Sequence, residues 1–249
     1  MGSNEFKIAC LKKYKMKKIL LFISTVFVTM SFMTNNKQKD NTLSSKEKKE
    51  GWKLLFDGTT MNGWRIYQNK KVDDWDVKNG ELYCKAKGVT KRADLITNDK
   101  YENFELQIDW KIAPKENSGI IYMVTEDNGA TYESGPEYQL IDDEGYPDKI
   151  KDVQLSGANY DMNPPTAKVV KPVGEFNHTK IVINKGHVEH WLNGTKVVEY
   201  QLWTPEWEQT KAKSKWKDVK TYGMSKAGHI ALQDHGGGLW FKNIKIKPL

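Results

Sequence analysis

From residue 51 onward the apolar positions recur at every second residue, not at every third or fourth. In NFELQIDWKI, Phe104, Leu106, Ile108, Trp110 and Ile112 fall on one side, and Glu105, Gln107, Asp109 and Lys111 on the other. That alternation predicts an antiparallel strand with one face in a core and one toward water. KIVINKGHVEHWLNGTKVVEY carries two turn signals, Asn184-Lys185-Gly186 and Asn193-Gly194. The second suits a type I′ hairpin, which needs positive φ at both central residues. Three meandering strands are expected there, and GHIALQDHGGGLWFKNIKIKPL predicts two more around a glycine-rich turn. One short helix is expected within TPEWEQTKAKSKWKD, where Thr204 can cap and Pro205 suits the first helical position. Many short strands, Gly and Asn turns and little helical pattern indicate an all-β sandwich of two packed antiparallel sheets.

A chain of 249 residues, 38% of them hydrophobic, can bury one substantial core. Residues 51–249 are expected to be that single domain. Ahead of it, MKKILLFISTVFVTMSFMT at 16–34 sets two lysines before an uncharged apolar run, the order of a secretory signal. The run is shorter than the roughly 20 residues that span a bilayer comfortably, so residues 1–34 read as a leader with a cleavable signal. NNKQKDNTLSSKEKKE at 35–50 is polar and charged and reads as a flexible tether. The expected location is periplasmic or secreted, with no membrane attachment after cleavage. The formal net charge of +7 does not describe a nucleic-acid surface, because six lysines and one glutamate place +5 of it before residue 35. Cys84 has only Cys10 as a companion, upstream of the apolar run. No disulfide is expected in the mature chain, and Cys84 reads as a small buried residue.

Against this pattern PEYQLIDDEG, residues 136–145, stands out. It alternates like a strand, yet Glu137 and Gln139 share one face, with Asp142 just beyond. Such a face is either solvated or the floor of a groove. The neighbouring NSGIIY, which also interrupts an apolar run with glycine and hydrogen-bonding side chains, favours the groove. His235 in LQDHGGG lies between Asp234 and three glycines, where a ligand could approach its ring. His190, between Val188 and Leu192 on its strand face, suits a core or a site rim. No H-E-x-x-H or C-x-x-C occurs, and His187, Glu189 and Trp191 describe an outer strand face more readily than a metal pair. Nor is there a G-x-S-x-G, P-loop or dinucleotide motif. No cofactor is expected, and a structural or catalytic divalent metal stays open. Trp203, Trp207, Trp216 and Trp240 with Tyr132, Tyr138 and Tyr160 exceed what a small core requires. Such rings stack on sugar C–H faces as well as packing between sheets.

Four blocks occur in order: GWKLLFDGTTMNGW; NSGIIY leading to EYQLIDDE; KPVGEFNHTKIVINKGHVEHWLNGTKVVEY; and GHIALQDHGGGLWFKNIKIKPL. Together they resemble the 3-keto-disaccharide hydrolase domain family over about residues 51–249. The resemblance implies a concanavalin A-like jelly-roll sandwich, export from the cytoplasm, and action on glycosides whose sugar has been oxidised at C3. Two departures from the family pattern are visible. Met123 stands where many members carry Arg, and LSGANYDMNPP leaves Tyr160 recognisable in altered surroundings.

A ketone at C3 acidifies the C2 proton, so a base can remove it and the enolate can expel the C1 substituent before water adds back. That route needs one base, one group to hold the developing O3 charge and one acid at the leaving oxygen. It does not need the two carboxylates of retaining or inverting glycosidases. The resemblance thus implies Glu137 or His235 as base and acid, Gln139 and Lys215 as polarising or sugar-binding groups, and Asp142 and Asp234 orienting them. Tyr160, His190 and Gln233 complete the expected substrate-binding set. The partners implied are a glycoside or oligosaccharide substrate and a separate sugar 3-dehydrogenase that oxidises it. Two alternatives share the fold: a lectin-like carbohydrate-binding module and a conventional β-glucanase. The second lacks its usual strand of alternating acids.

Overall fold

The computed structural model of the protein describes residues 38–249; the signal-like segment at 16–34 lies outside them. In chain order the strands are β1 (Lys53–Leu54), β2 (Trp64–Ile66), β3 (Trp75–Lys78), β4 (Glu81–Cys84), β5 (Leu95–Thr97), β6 (Phe104–Ile112) and β7 (Asn117–Val124). They continue with β8 (Glu137–Ile141), β9 (Asn177–Asn184), β10 (His187–Leu192), β11 (Thr195–Gln201), β12 (His229–Leu232) and β13 (Leu239–Pro248). The larger sheet has the order β11-β10-β9-β6-β13-β4-β3, with β1 also on β13, and the smaller β2-β5-β12-β7-β8. Every pairing is antiparallel. This is the two-sheet concanavalin A-like jelly roll that the strand pattern and the resemblance imply.

The expected alternation in β6 holds residue by residue: Phe104, Leu106, Ile108, Trp110 and Ile112 are buried, and the residues between them are half-buried. Its apolar face meets Ile120, Tyr122, Tyr138, Leu140, Ile230 and Leu232 of the smaller sheet in one core. Each such side chain contributes roughly 1.5–3 kcal/mol by leaving water. The β9–β10–β11 meander is also as expected. Asn193 and Gly194 have φ of 49° and 86°, the type I′ geometry. The Asn193 amide also donates to Val169 O at 2.7 Å and Asn177 Oδ1 at 2.8 Å, so this turn ties down the 165–176 loop as well.

The expected tether at 35–50 is corrected by the structure from residue 38 on. Asn41 is buried, its N–H donates to Asn243 Oδ1 at 2.7 Å, and its side chain donates to Gly80 O at 2.8 Å. Helix α1 (Ser45–Lys49) is closed by a capping box between Ser44 and Glu47. Glu47 also pairs with Lys245, and Lys242 with Asp40 at 2.7 Å. The polar residues of this segment bind the outward polar residues of β13, a match that composition alone does not disclose. Among the described residues no helix is long and apolar enough to cross a membrane.

The expected helix forms as α2 (Pro205–Ala212), with Thr204 Oγ1 accepting from Trp207 N at 3.3 Å. It belongs to the long connection from β11 to β12. Trp207 stacks between Tyr200 and Tyr222, and Trp216 stacks on Tyr222 at 4.5 Å. These stacked rings fix the connection against Tyr200 of β11 and carry Lys215 to the site described next.

Candidate active site

The two faces of the smaller sheet differ in what they carry. Tyr138 and Leu140 of β8 enter the inter-sheet core, while Ile121, which pairs with Glu137, joins a small cluster with Tyr67, Ile96, Val124 and Ala231 on the other face. Glu137 and Gln139 therefore share that outer face, as the alternation predicts. There they line a cavity of about 260 Å³ together with Asn117, Tyr132, Tyr160, Lys215, Gln233 and His235. Small-ligand sites run from about 300 Å³ upward, so this one is matched to a compact ligand.

Glu137 is the centre of the site. It is 3% exposed, and its carboxyl has no hydrogen-bond partner among the described residues. Opposite lies Gly119, where a Cβ would stand 2.3 Å from Glu137 Oε1; only glycine leaves room for the carboxyl. Burial pushes the Glu137 pKa up to about 8, opposed by the charge of Lys215 and assisted by that of Asp94. The Lys215 ammonium lies 4.0 Å from the Tyr160 ring centre and 4.3 Å from that of Trp216, a cation held by aromatic faces. Desolvation lowers its pKa while Glu137 opposes that shift. Burial thus drives both toward their neutral forms, against their mutual attraction.

The amides are arranged around this pair. Gln139 Nε2 donates to Asn117 Oδ1 at 3.1 Å, and the buried Gln139 Oε1 has no partner. Gln233 is pinned by its backbone, N–H to Gly119 O at 3.0 Å and O accepting from Ser118 Oγ at 2.8 Å. Tyr160 N donates to Glu137 O at 3.0 Å, which holds the Tyr160 ring beside the carboxyl's own strand.

The rim is set from beneath by buried acids. Asp234 does not line the cavity; its carboxylate takes Arg92 at 3.0 Å and the Gly236 N–H at 2.7 Å, fixing the turn that presents the exposed His235. Its contacts are with Arg92 and that turn and not with the cavity lining. Asp94 accepts from the Asp234 N–H at 2.9 Å and from the Thr131 hydroxyl. One carboxylate therefore steadies the residues adjacent to both His235 and Tyr132. Burial raises Asp94 to about 6, and Asp74, beside Asp234, to about 7.

Besides Asp234, two expected site residues lie outside the cavity lining. Strand β8 ends at Ile141, and the Asp142 carboxylate then accepts from Lys115 N and Gly145 N at 2.8 Å each. It orders a turn away from the cavity. His190 is fully buried between the sheets, with Nε2 2.9 Å from Tyr122 Oη and Nδ1 3.0 Å from Gly157 O; burial lowers its pKa to about 4. Met123 is likewise buried in the inter-sheet core, so the position noted as a departure from the family pattern does not line the pocket. Asn117 and Tyr132 are lining residues that strand alternation did not single out as a site, although NSGIIY drew attention to the first. Among the described residues, His187, Glu189 and Glu199 could converge on a cation, their ligand atoms lying within 4.8 Å of one another. Lys196 already pairs Glu189 at 3.3 Å and Glu199 at 2.5 Å, which balances that cluster. Burial pushes the Cys84 thiol up, the opposite of a nucleophile's requirement.

Comparison with known proteins identifies the family. The model of the 3-keto-alpha-glucoside-1,2-lyase-like domain matches residues 51–247. The chain is 36% identical to a 3-keto-disaccharide hydrolase of Bacteroides thetaiotaomicron over 229 residues, covering 80% of this chain and 79% of that protein. It is similar to the crystal structure of a candidate glycosyl hydrolase from Parabacteroides distasonis, with a TM-score of 0.80 and 40% identity over 85% of this chain and all (100%) of that one. A second such structure from the same organism gives a TM-score of 0.64 at 31% identity, over 80% of this chain and 99% of that one.

Proposed function

Because the chain belongs to the 3-keto-alpha-glucoside-1,2-lyase-like family, we propose that it cleaves glycosides bearing a ketone at C3 by eliminating the C1 substituent across C1–C2. That it is a carbohydrate-active enzyme of the glycosidase type follows from its relatives. The finer reading is carried by one observation. Among the described residues Glu137 is the only carboxylate lining the cavity, its carboxyl is free of protein hydrogen bonds, and its pKa is raised to about 8. A lone carboxylate of this kind suits proton abstraction, whereas double displacement and direct inversion each need a second one across the scissile bond.

In the proposed reaction the ionised Glu137 takes the C2 proton. The C–H electron pair forms C2=C3, and the ketone oxygen becomes an enolate oxygen. When that charge returns to the carbonyl, the C2=C3 pair shifts to form C1=C2, the C1–O bond breaks with its electrons going to the leaving oxygen, and a proton from His235 or Lys215 neutralises it. Water then adds across C1=C2, hydroxyl to C1 and hydrogen to C2, so the net change is hydrolysis. The Tyr132 and Tyr160 rings flank the sugar plane, and Gln233 binds a ring hydroxyl. The ketone must be supplied by a sugar 3-dehydrogenase acting beforehand.

A panel of glycosides and their 3-keto forms tests this reading. Release of aglycone only from the oxidised set is expected. Cleavage of unoxidised glycosides would overturn it, and saturable binding with no turnover of either set would identify a lectin-like module instead. The 16–34 segment supports export to the periplasm or beyond; sequencing the N-terminus of fractionated native protein checks this, and an intact start in the cytoplasm would refute it.

A further inference from the structure

We propose that Asn117 is a further catalytic residue of this pocket, its amide N–H groups holding the ketone oxygen as it becomes an enolate, and that Gln139 sets the direction of that amide. The inference rests on the reading above, which supplies the ketone.

A carboxamide has a donor end and an acceptor end. Gln139 Nε2 donates to Asn117 Oδ1 at 3.1 Å, which engages the acceptor end of Asn117 and turns its NH₂ away from Gln139. Asn117 Nδ2 has no protein partner among the described residues, and Asn117 lines the cavity beside Glu137. On the other member of the couple, Gln139 Oε1 is buried and without a partner. Leaving a buried carbonyl oxygen unpaired is unfavourable, so this oxygen is an acceptor in waiting. The couple thus offers one donor and one acceptor side by side. An α-hydroxy ketone is its complement: the carbonyl only accepts, and the adjacent hydroxyl donates.

Position supports the assignment. Asn117 opens β7 and pairs with Ile141, two residues along the same face from the Gly119–Gln139 pair, which is followed by Ile121–Glu137. The donor, the acceptor and the base therefore stand in a row on neighbouring strands, whose ladder holds them without loop motion. A donor fixed in place before charge develops stabilises an oxyanion far better than water does. Lys215, held over Tyr160 and Trp216, is left for the leaving oxygen.

The test uses the full-length enzyme and a 3-keto-glycoside in deuterium oxide, following deuterium entry at C2 and aglycone release separately. Asn117→Asp keeps the size and the bond from Gln139 but has no N–H; Asn117→Ala controls for its added charge. Both are expected to lose exchange and cleavage together, by on the order of a hundredfold or more in kcat, with KM changed by only a few-fold. Gln139→Glu should do the same as pH rises, because an ionised carboxylate can only accept and draws the Asn117 N–H back from the pocket. A structural role for Gln139 would instead lower Tm without this pH-dependent loss. Activity of both Asn117 variants within about threefold of the parent, or loss of cleavage with exchange intact, would overturn the proposal while leaving the elimination reading standing. A parent enzyme that neither exchanges nor cleaves any 3-keto-glycoside would remove that reading, and this inference with it.

Discussion

Two buried polar clusters lie on opposite faces of the smaller sheet, and they are built to opposite ends. Between the sheets, Tyr122 bridges His190 at 2.9 Å and Tyr200 at 2.5 Å, and His190 closes on Gly157 O at 3.0 Å. Both ring nitrogens are engaged and the imidazole is kept neutral, so nothing there is left to react. On the outer face, Gln139 Oε1 has no partner among the described residues, and the Glu137 carboxyl, equally free of hydrogen bonds to them, is raised to about 8. A satisfied cluster specifies the core. An unsatisfied one weakens the fold but keeps its groups ready for a ligand.

The sharpest way to break the contrast is Glu137→Gln, which keeps size and hydrogen-bonding capacity but cannot take a proton. Turnover of a 3-keto-glycoside should fall by on the order of a hundredfold or more, while affinity measured by calorimetry changes little. Full activity would remove Glu137 from the mechanism.

The same substitution should stabilise the protein. Folding moves the Glu137 pKa from 4.5 to about 8, so between those values the native state holds a proton that the unfolded chain has released. Stability therefore falls as pH rises through that window. Denaturant titrations at pH 5 and pH 8 should show the variant gaining on the parent by on the order of a few kcal/mol at the higher pH. A gain independent of pH would contradict the raised pKa.

His190→Leu tests the other cluster. It leaves Tyr122 and Gly157 O with a lost partner in a dry core, and should destabilise by roughly 2 kcal/mol or more. Turnover by the still-folded protein should be nearly unchanged. The parent's stability should also fall as pH drops from 6.5 toward 4, because the unfolded histidine takes a proton that the folded one, at about 4, refuses. A catalytic defect without loss of Tm would place His190 in the site after all.

The smallest effect is expected at Gly194. Its surroundings are open, with nothing within 4 Å of the place a Cβ would occupy, and only its φ of 86° opposes a side chain. Gly194→Val should lower stability by about 1 kcal/mol, read as a small drop in Tm with activity intact.

The face that carries the candidate site was legible because alternation is a local rule. Once β8 runs as a strand, Glu137 and Gln139 must share a side. Tyr160, Lys215, Gln233 and His235 also belong to the cavity as expected, all four from segments outside the strands and helices. Asp142 was not legible, because the strand ends one residue before it and its carboxylate is captured by Lys115 N and Gly145 N. His190 has the same flanking pattern whether its face meets a core or a rim.

Sequence by itself determined the period-two strands, the Asn193-Gly194 hairpin, the Thr204-Pro205 helix start and the sidedness of Glu137, since each depends on a residue's own backbone preferences and its near neighbours. Tertiary structure alone decided which face was covered and by what. Asp234 meets Arg92 across 142 positions, and Asn41 meets Asn243 across 202. Such pairings depend on which strands become neighbours, and so does the burial of Glu137 in its pocket. Burial is what lifts an ordinary glutamate to about 8, against the charge of Lys215, and that burial exists only once β7, β8 and the remote loops have closed around it.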